Sequence, residues 1–344
     1  ENLLTECKAL YDFKPTPLYA LDYYGFLQTL GQTVLKSLGR ALSGIRYTRE
    51  LYRLSDGGTV ALDWVHSVDG HLVQYSPDAS TVIIQHGLCG DSNVEYVIHL
   101  AEMLSRLHYR VVVMIARGCG GVKLTTNMPF SFGQTLDFKE VVDHVHRLHP
   151  DSKLLAVGFS LGACLTLRHV AVHAKDTPLS GALCISPPWD FAVAPSVMFQ
   201  MVWTKLLVGA LKIYYWLNRD TLDPVLLSQI YGATDMWSYD DIMAPIFGHE
   251  SRMDYYNASS PKYVTNKIST VPTLAISSVD DPVCNIKGAP QGIESGQIGS
   301  SLIIAIVELG GHLGFAEDWL PFRTSWVDRV CIDWFETILS NSAK

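Results

Sequence analysis

A serine between two glycines, placed where an apolar run gives way to a helical stretch, is the feature that most constrains this chain. Residues 154–157 read as a buried strand, and they lead into Gly158-Phe159-Ser160-Leu161-Gly162. The five-residue pattern alone is weak, because two glycines near a serine arise easily by chance. A strand before it and a helix after it predict a tight, strained turn that raises the Ser160 hydroxyl to the edge of a sheet. A glycine-rich turn without chemistry is the alternative.

The residues that such a serine needs follow two later strands. A serine hydroxyl becomes an effective nucleophile when a histidine accepts its proton and a carboxylate holds that histidine. Residues 271–277 read as a buried strand that runs into Asp280 and Asp281, and residues 301–307 as a strand followed by a glycine-flanked His312. The order serine, acid, histidine therefore predicts His312 as the base and one of the two aspartates as the acid.

The doubled aspartate leaves two choices for the acid. Adjacent residues at the end of a strand point in opposite directions, so only one of them can reach the histidine. Asp281 precedes Pro282, which starts the turn away from the sheet. We therefore predict Asp281 as the catalytic acid and Asp280 as a loop or helix-capping residue, with the reverse assignment as the alternative.

Two backbone N–H groups must stabilise the oxyanion that forms during acyl transfer. One comes from the residue after the nucleophile, which is Leu161. The other comes from a loop nearer the N-terminus, and the strand over residues 80–85 ends in His86-Gly87-Leu88. This pattern predicts Leu88 as the second donor. His86 is predicted to be structural, and a second catalytic histidine is the alternative.

Strands and helices alternate through the middle of the chain, which predicts an α/β fold with a mostly parallel sheet and helices on both faces. We predict an N-terminal extension over residues 1–50 and a catalytic domain over 51–344, with an inserted cap at about 189–265. The predicted strands lie near 81–86, 110–116, 153–159 and 181–186, and the helices near 93–107, 135–148 and 160–174.

The stretch 196–217 within the insertion is long, apolar and rich in methionine and aromatic residues. It could be a buried cap helix, a helix that lines an acyl pocket or rests on a membrane surface, or a transmembrane span. Lys205 and Lys212 fall on one helical face, which suits a surface helix and disfavours a span. If the helix lines an acyl pocket, Trp203 and Trp216 are predicted to contribute to it.

Taken together, the motifs of this chain resemble the abhydrolase-domain lipid esterases, a branch of the α/β-hydrolases that includes abhydrolase-domain proteins one to three and the yeast medium-chain ethyl-ester synthases. The resemblance covers roughly residues 60 to 335. The motifs that carry it are His86-Gly87-Leu88-x-Gly90, Arg117-Gly118-Cys119-Gly120-Gly121, Leu124-Thr125-Thr126, the Ser160 pentapeptide, Asp280-Asp281-Pro282 and Gly311-His312-Leu313-Gly314-Phe315.

This resemblance implies an α/β-hydrolase fold with an inserted helical cap and a serine hydrolase that acts without a cofactor on lipid or fatty esters. It places the acid on the second aspartate, Asp281. Medium-chain acylglycerols or phospholipids are the expected substrates. An alcohol acyltransferase that forms fatty-acid esters is one alternative, and a non-catalytic lipid-binding or receptor protein is another. The resemblance further implies a membrane anchor upstream of Glu1.

The composition of the chain limits which partners, bound metals and cellular locations we expect. The net charge of −8 and the lack of a dense basic stretch argue against a nucleic-acid partner. The seven cysteines are odd in number and lack the spacing of a metal site, so we expect reduced thiols, no bound metal and an intracellular, cytosolic-facing protein without a signal peptide. The oligomeric state is left open by the sequence.

Overall fold

The computed structural model describes residues 2–15, 25, 29, 43–193, 197–291, 296, 298–317 and 325–342. Its strands are β1 (Arg46–Arg53), β2 (Thr59–Val68), β3 (His71–Leu72), β4 (Thr81–Gln85), β5 (Arg110–Ile115), β6 (Leu154–Phe159), β7 (Leu179–Ile185), β8 (Thr273–Ser278) and β9 (Leu302–Val307). Its α-helices are α1 (Asn2–Glu6), α2 (Glu95–Arg106), α3 (Leu136–Leu148), α4 (Leu161–Val172), α5 (Val197–Leu217), α6 (Pro224–Gly232), α7 (Met236–Ile246), α8 (Arg252–Ser259) and α9 (Trp326–Ser342).

The strands form one sheet in the order β1-β2-β5-β4-β6-β7-β8-β9, with β3 paired to β2. The pairs from β5 through β9 are parallel, whereas β1 pairs antiparallel with β2 and β2 antiparallel with β5. Parallel strands need crossover connections, and helices supply most of them here. The mostly parallel sheet that the sequence predicts is confirmed.

Side chains on the two faces of the sheet build two apolar cores. Along β4, Val82 and Ile84 pack in one core and Ile83 in the other. Helices α2 and α9 cover the first face, and α3 and α4 cover the second. Strands buried on both faces read as continuous apolar runs, which is why the sequence located β4 through β8 closely.

Helices α5 to α8 lie between β7 and β8, at the position predicted for the cap. Trp189, the first residue of the predicted insertion, is buried in the core of the sheet domain, where its Nε1 donates to Ser277 Oγ at 3.0 Å. In the described part of the chain, none of the helices combines the length and apolarity needed to cross a bilayer.

The N-terminal segment is tied to the end of the chain. Phe13 stacks on Trp326 with ring centroids 4.6 Å apart, and Trp326 Nε1 donates to the Ala9 carbonyl at 2.7 Å. Cys7 is fully buried in the same core. Strand β1 begins at Arg46, so the boundary proposed at residue 51 falls inside this strand. Residues before the boundary therefore belong to the packed structure.

Candidate active site

Four loops meet at the carboxyl edge of the sheet, where β4, β6, β8 and β9 end. They carry Leu88, Ser160, Asp281 and His312, four of the residues that the sequence predicts for the site. Because these strands belong to the parallel part of one sheet, their ends lie on the same side. The structure thus brings together residues from four separate parts of the sequence.

Ser160 occupies a strained turn between β6 and α4. Its φ of 54° and ψ of −117° lie outside the regions that side-chain-bearing residues favour, which costs about 1–3 kcal/mol. Both flanking glycines are required by close packing. A Cβ on Gly158 would stand 2.3 Å from the Gly162 carbonyl oxygen, and a Cβ on Gly162 would stand 2.5 Å from the Gln85 carbonyl oxygen.

The serine, histidine and carboxylate form a continuous hydrogen-bonded chain. Ser160 Oγ lies 2.9 Å from His312 Nε2, and His312 Nδ1 lies 2.8 Å from Asp281 Oδ2. The carboxylate accepts a hydrogen bond from the Nδ1–H group, so the unprotonated Nε2 can accept a hydrogen bond from the serine hydroxyl. The His312 ring and the Asp281 carboxylate are both buried. This geometry allows the serine to act as a nucleophile and the histidine as a general base.

The structure separates the two adjacent aspartates. Asp281 Oδ1 accepts hydrogen bonds from the backbone N–H groups of Val283 and Cys284, both at 2.8 Å, so the carboxylate is fixed while Oδ2 faces His312. Asp280 points the other way. Its Oδ1 accepts from the N–H groups of Gly310 and Gly311, both at 2.9 Å, and so braces the loop that carries the histidine.

A residue that the sequence analysis missed also holds this loop. The N–H of His312 donates to Thr29 Oγ1 at 2.9 Å, and the Thr29 hydroxyl donates to the Gly25 carbonyl at 2.6 Å. Thr29 lies in the predicted N-terminal extension, far from the loop in sequence, and no sequence motif marks it. The first part of the chain therefore contributes directly to the candidate site.

The predicted oxyanion donors flank the serine. Leu161 is the first residue of α4, where backbone N–H groups lack helical partners. Leu88 follows Gly87, whose backbone is so close to Ser160 that a Cβ on Gly87 would lie 3.3 Å from Ser160 Cβ. Leu88 and Leu161 line one cavity with Ser160. This placement suits both predicted donors.

Two side chains fix the loop that carries Leu88. His86 Nε2 accepts from the Ala116 N–H at 3.2 Å, so its Nδ1 holds the proton that is donated to the Gly87 carbonyl at 2.7 Å. The ring is thus neutral, and its two hydrogen bonds hold the loop in position. Tyr96, which the sequence analysis missed, accepts from the Gly87 N–H at 3.1 Å, and burial raises the pKa of its hydroxyl to about 12.

Asp281, Cys284 and His312 form the one cluster of metal-ligand residue types within the described residues, with ligand atoms within 4.8 Å of one another. Burial raises the pKa of the Cys284 thiol well above its usual value, so this sulfur is a protonated, weak ligand. The Asp281 and His312 atoms already bind each other. The donor set therefore suits proton transfer better than metal binding.

A cavity of about 440 Å³ opens beside Ser160 and His312. Its size falls within the usual range for small-molecule sites. Apolar and aromatic side chains from the loops of the sheet and from the segment between the start of α5 and the end of α8 form most of its wall. Those from the loops include Phe130, Phe132, Pro188, Trp189, Phe191 and Leu313, and those from the helical segment include Leu207, Leu211, Met236, Tyr239, Phe247, Tyr255 and Tyr256.

Helix α5 contributes one face to this cavity. Leu207 and Leu211 line the cavity, whereas the Trp216 side chain is 54% exposed and is not part of the cavity wall. The prediction that Trp216 lines an acyl pocket is wrong, because the tyrosines at 214 and 215 take the buried positions of that turn. The Trp203 side chain lies outside the described residues.

One acidic side chain stands among these aromatic groups. Asp240 is buried and lines the cavity, and its Oδ2 accepts from the Tyr256 hydroxyl at 2.5 Å. Within the described residues its Oδ1 has no hydrogen-bond partner. Burial raises the pKa of this carboxyl from 3.8 to about 7. Nothing in the sequence marked Asp240 as unusual.

This shift predicts a pH-dependent stability. The folded protein keeps a proton on Asp240 that the unfolded chain loses near pH 4, so stability should fall as pH rises from about 4 through 7 and then level off. Asp240→Asn should abolish this pH-dependent loss of stability, which amounts to about 1–4 kcal/mol. We expect the thermal midpoint of the variant, relative to wild type, to rise by several degrees between pH 5 and pH 8.

The neighbouring Asp241 provides the matched control. It is exposed and pairs with Arg252 at 2.9 Å. Asp241→Asn should change the midpoint little and leave its pH dependence like that of wild type. A parallel pH dependence in the Asp240→Asn variant would contradict the assignment of the raised pKa to this carboxyl.

Residues 80–229 match the family model of the alpha/beta hydrolase fold. The chain is 30% identical to "Phospholipase ABHD3" of Mus musculus over 329 residues, which cover 91% of this chain and 78% of that protein. It is 27% identical to "Medium-chain fatty acid ethyl ester synthase/esterase 2" of Saccharomyces cerevisiae, over 84% of this chain and 78% of that protein.

Solved structures show the same fold at lower sequence identity. A putative lipase from Acinetobacter baumannii superimposes with a TM-score of 0.54 at 15% identity, covering 90% of this chain and 97% of the other. The fold is therefore shared with a protein whose sequence is only distantly similar to that of this chain.

Proposed function

Because this chain belongs to the abhydrolase-domain lipid esterases of the α/β-hydrolase superfamily and is a carboxylic ester hydrolase, we propose that it cleaves acyl chains from lipids through an acyl-enzyme on Ser160. The observation that supports this most strongly is the hydrogen-bonded chain from Ser160 through His312 to Asp281, which ends at an apolar cavity. The proposed roles are nucleophile for Ser160, general base and acid for His312, and orienting carboxylate for Asp281.

In the proposed acylation step, Ser160 Oγ attacks the ester carbonyl while His312 Nε2 takes the hydroxyl proton. Asp281 stabilises the positive charge that forms on the imidazole. The carbonyl oxygen becomes an oxyanion that accepts hydrogen bonds from the N–H groups of Leu88 and Leu161. His312 then gives its proton to the leaving alcohol, and the acyl group remains on Ser160.

Deacylation repeats these steps with water as the attacking group, activated by His312. An alcohol in place of water would give an ester rather than an acid, so acyl transfer needs no further residues. The name of the yeast relative, which includes both synthase and esterase, supports this second activity. Product analysis with and without ethanol separates the two: a fatty-acid ethyl ester appears only if the alcohol competes with water.

The cavity supports a lipid rather than a small polar ester as the substrate. Its wall is mostly apolar, and it lies between the Ser160 loop and the cap that we place at residues 189–265. A phospholipid or acylglycerol with a medium-length acyl chain would bury its methylene groups there. The relatives named for phospholipase and for medium-chain ester activity point to the same class.

Chain-length dependence tests this substrate class. Full burial of one methylene contributes about 0.8 kcal/mol, so kcat/KM should rise about fourfold per added carbon until the cavity is filled. We expect p-nitrophenyl octanoate to be cleaved much faster than the acetate or butyrate in one detergent condition. A strong preference for the acetate would contradict the lipid assignment and favour a small-ester carboxylesterase.

Two neighbouring leucines of α5 allow a test of where the acyl chain binds. Leu207 lines the cavity, whereas Leu206 is exposed on the outer face of the same helix. Leu207→Phe should shorten the preferred acyl chain by filling part of the cavity, and Leu206→Phe should leave the preference on these soluble esters unchanged. An equal shift in both variants, or in neither, would place the acyl chain elsewhere.

A further inference from the structure

Helix α5 carries an exposed apolar stripe opposite the face that lines the cavity. Leu206, Ala210, Ile213 and Leu217 follow the spacing of four, three and four residues that keeps side chains on one helical face. We call these four residues the outer stripe. Leu206 is 50% exposed, Ile213 is 61% exposed and Leu217 is 45% exposed. The described residues leave this face uncovered.

A basic edge runs along one side of the outer stripe. Lys205 and Lys212 are seven residues apart, so they lie on one side of the helix. Arg219 follows the end of the helix, where its Nε lies 4.0 Å from Asp220 Oδ1, and these three cations make up the basic edge. The exposed Trp216 lies between the two rows, with the Arg219 guanidinium 4.8 Å from the centre of its ring. Helix α5 itself, Val197–Leu217, contains two lysines and no acidic residue, although the whole chain has a net charge of −8.

The outer stripe is close to the candidate active site. Leu207 and Leu211 on the opposite face of α5 line the cavity. Trp237, at the start of α7, also lines the cavity and is half-exposed, so it lies at the cavity opening. The exposed apolar surface and the entrance to the cavity therefore belong to the same cap.

We propose that the outer stripe and its basic edge are a docking surface for an anionic phospholipid bilayer, on which α5 lies parallel to the membrane plane. The apolar side chains would enter the boundary between headgroups and acyl chains, the tryptophan would lie at headgroup level, and the cations would contact anionic headgroups. This proposal rests on the proposed lipid-ester function, because docking here would bring the cavity opening to its substrate.

The charge pattern favours a bilayer over a second copy of this chain. A symmetric dimer through α5 would bring the cations of both copies into one apolar interface, where like charges repel. An anionic membrane instead offers opposite charge to the basic edge and an apolar layer to the stripe. Each face of the helix then has a chemically matched neighbour.

Flotation with sized vesicles tests the surface. We expect the purified protein to bind vesicles of phosphatidylcholine with about 30% phosphatidylglycerol, and to bind pure phosphatidylcholine vesicles more weakly. The double variant Ile213→Gln/Leu217→Gln should weaken binding to both vesicle types at least tenfold. Lys205→Gln and Lys212→Gln should each weaken binding to the anionic vesicles about fivefold, with little effect on the neutral ones.

Two leucines outside the cap, each more than half exposed, serve as controls. Leu72 on β3 is 65% exposed and Leu136 at the start of α3 is 58% exposed. The double variant Leu72→Gln/Leu136→Gln should bind vesicles like wild type. Undiminished binding by the Ile213→Gln/Leu217→Gln variant, or equal losses in the control, would overturn the proposal. A dimer of the wild-type protein that this variant dissociates, without vesicle binding, would identify a second copy as the partner instead.

Hydrolysis of soluble p-nitrophenyl butyrate separates this proposal from the proposed function. The Ile213→Gln/Leu217→Gln, Lys205→Gln and Lys212→Gln variants should retain this activity, because their substitutions lie outside the cavity. Loss of vesicle binding with normal butyrate hydrolysis supports the docking surface. Normal vesicle binding by a protein without any ester hydrolysis would contradict the proposed function but still support the docking surface.

Discussion

Replacing Ser160 by alanine should lower kcat for ester hydrolysis by about 10⁵–10⁶-fold, the scale on which loss of the nucleophile acts in serine hydrolases. Alanine keeps the Cβ but offers no oxygen to attack the carbonyl, so no acyl-enzyme can form. Initial rates on p-nitrophenyl octanoate with highly purified protein measure this loss. Residual turnover well above this level would contradict the role of Ser160.

The fold should survive this substitution. Ser160 Oγ bonds His312 at the surface of the cavity, and the strained backbone at this position can be held by the same packing in the variant. We expect a thermal midpoint close to that of wild type. Ser186, whose hydroxyl accepts from the Leu313 N–H at 3.4 Å, provides a control serine near the site. Ser186→Ala should retain most of the activity.

Replacing Asp281 by asparagine should lower kcat about 10⁴-fold. If the asparagine keeps its oxygen on the Val283 and Cys284 N–H groups, its NH₂ group faces His312 Nδ1 and donates to it. Nδ1 must then be the unprotonated nitrogen, and the proton moves to Nε2, which can no longer accept from Ser160. A kcat profile against pH and the rate on p-nitrophenyl octanoate measure this effect.

Asp280→Asn is the matched control for this prediction. An asparagine oxygen can still accept from the Gly310 and Gly311 N–H groups, so the loop that carries His312 should keep its position. We expect a loss far smaller than that of Asp281→Asn. The reverse ranking of the two variants would assign the catalytic carboxylate to Asp280.

The sheet could be predicted from the sequence because its central strands are buried on both faces. The apolar runs at 81–86 and 153–159 were located to within a residue of β4 and β6. The residues at the strand ends followed from the same pattern, since parallel strands place their carboxyl ends at one edge. The strands and the polar residues at their ends could thus be predicted together over this part of the chain.

The residues that brace the site could not be found in this way. Thr29 meets the His312 loop across 283 positions of the chain, and Tyr96 reaches Gly87 from the side of α2. Such contacts depend on tertiary packing, which leaves no periodic signal. The wrong prediction for Trp216 has a related cause. Helix α5 is apolar on its inner and outer faces, so its sequence does not show which face is buried.

The most direct test of the central claim is to identify the residue that forms a covalent bond with an active-site-directed reagent. The purified protein is treated with a fluorophosphonate and digested, and the modified peptide is sequenced by mass spectrometry. A single adduct on Ser160, absent from the Ser160→Ala variant and formed more slowly while an excess of a lipid ester competes for the site, is the predicted result. An adduct on another residue, or no adduct on an enzyme that cleaves esters, would contradict the proposed acyl-enzyme.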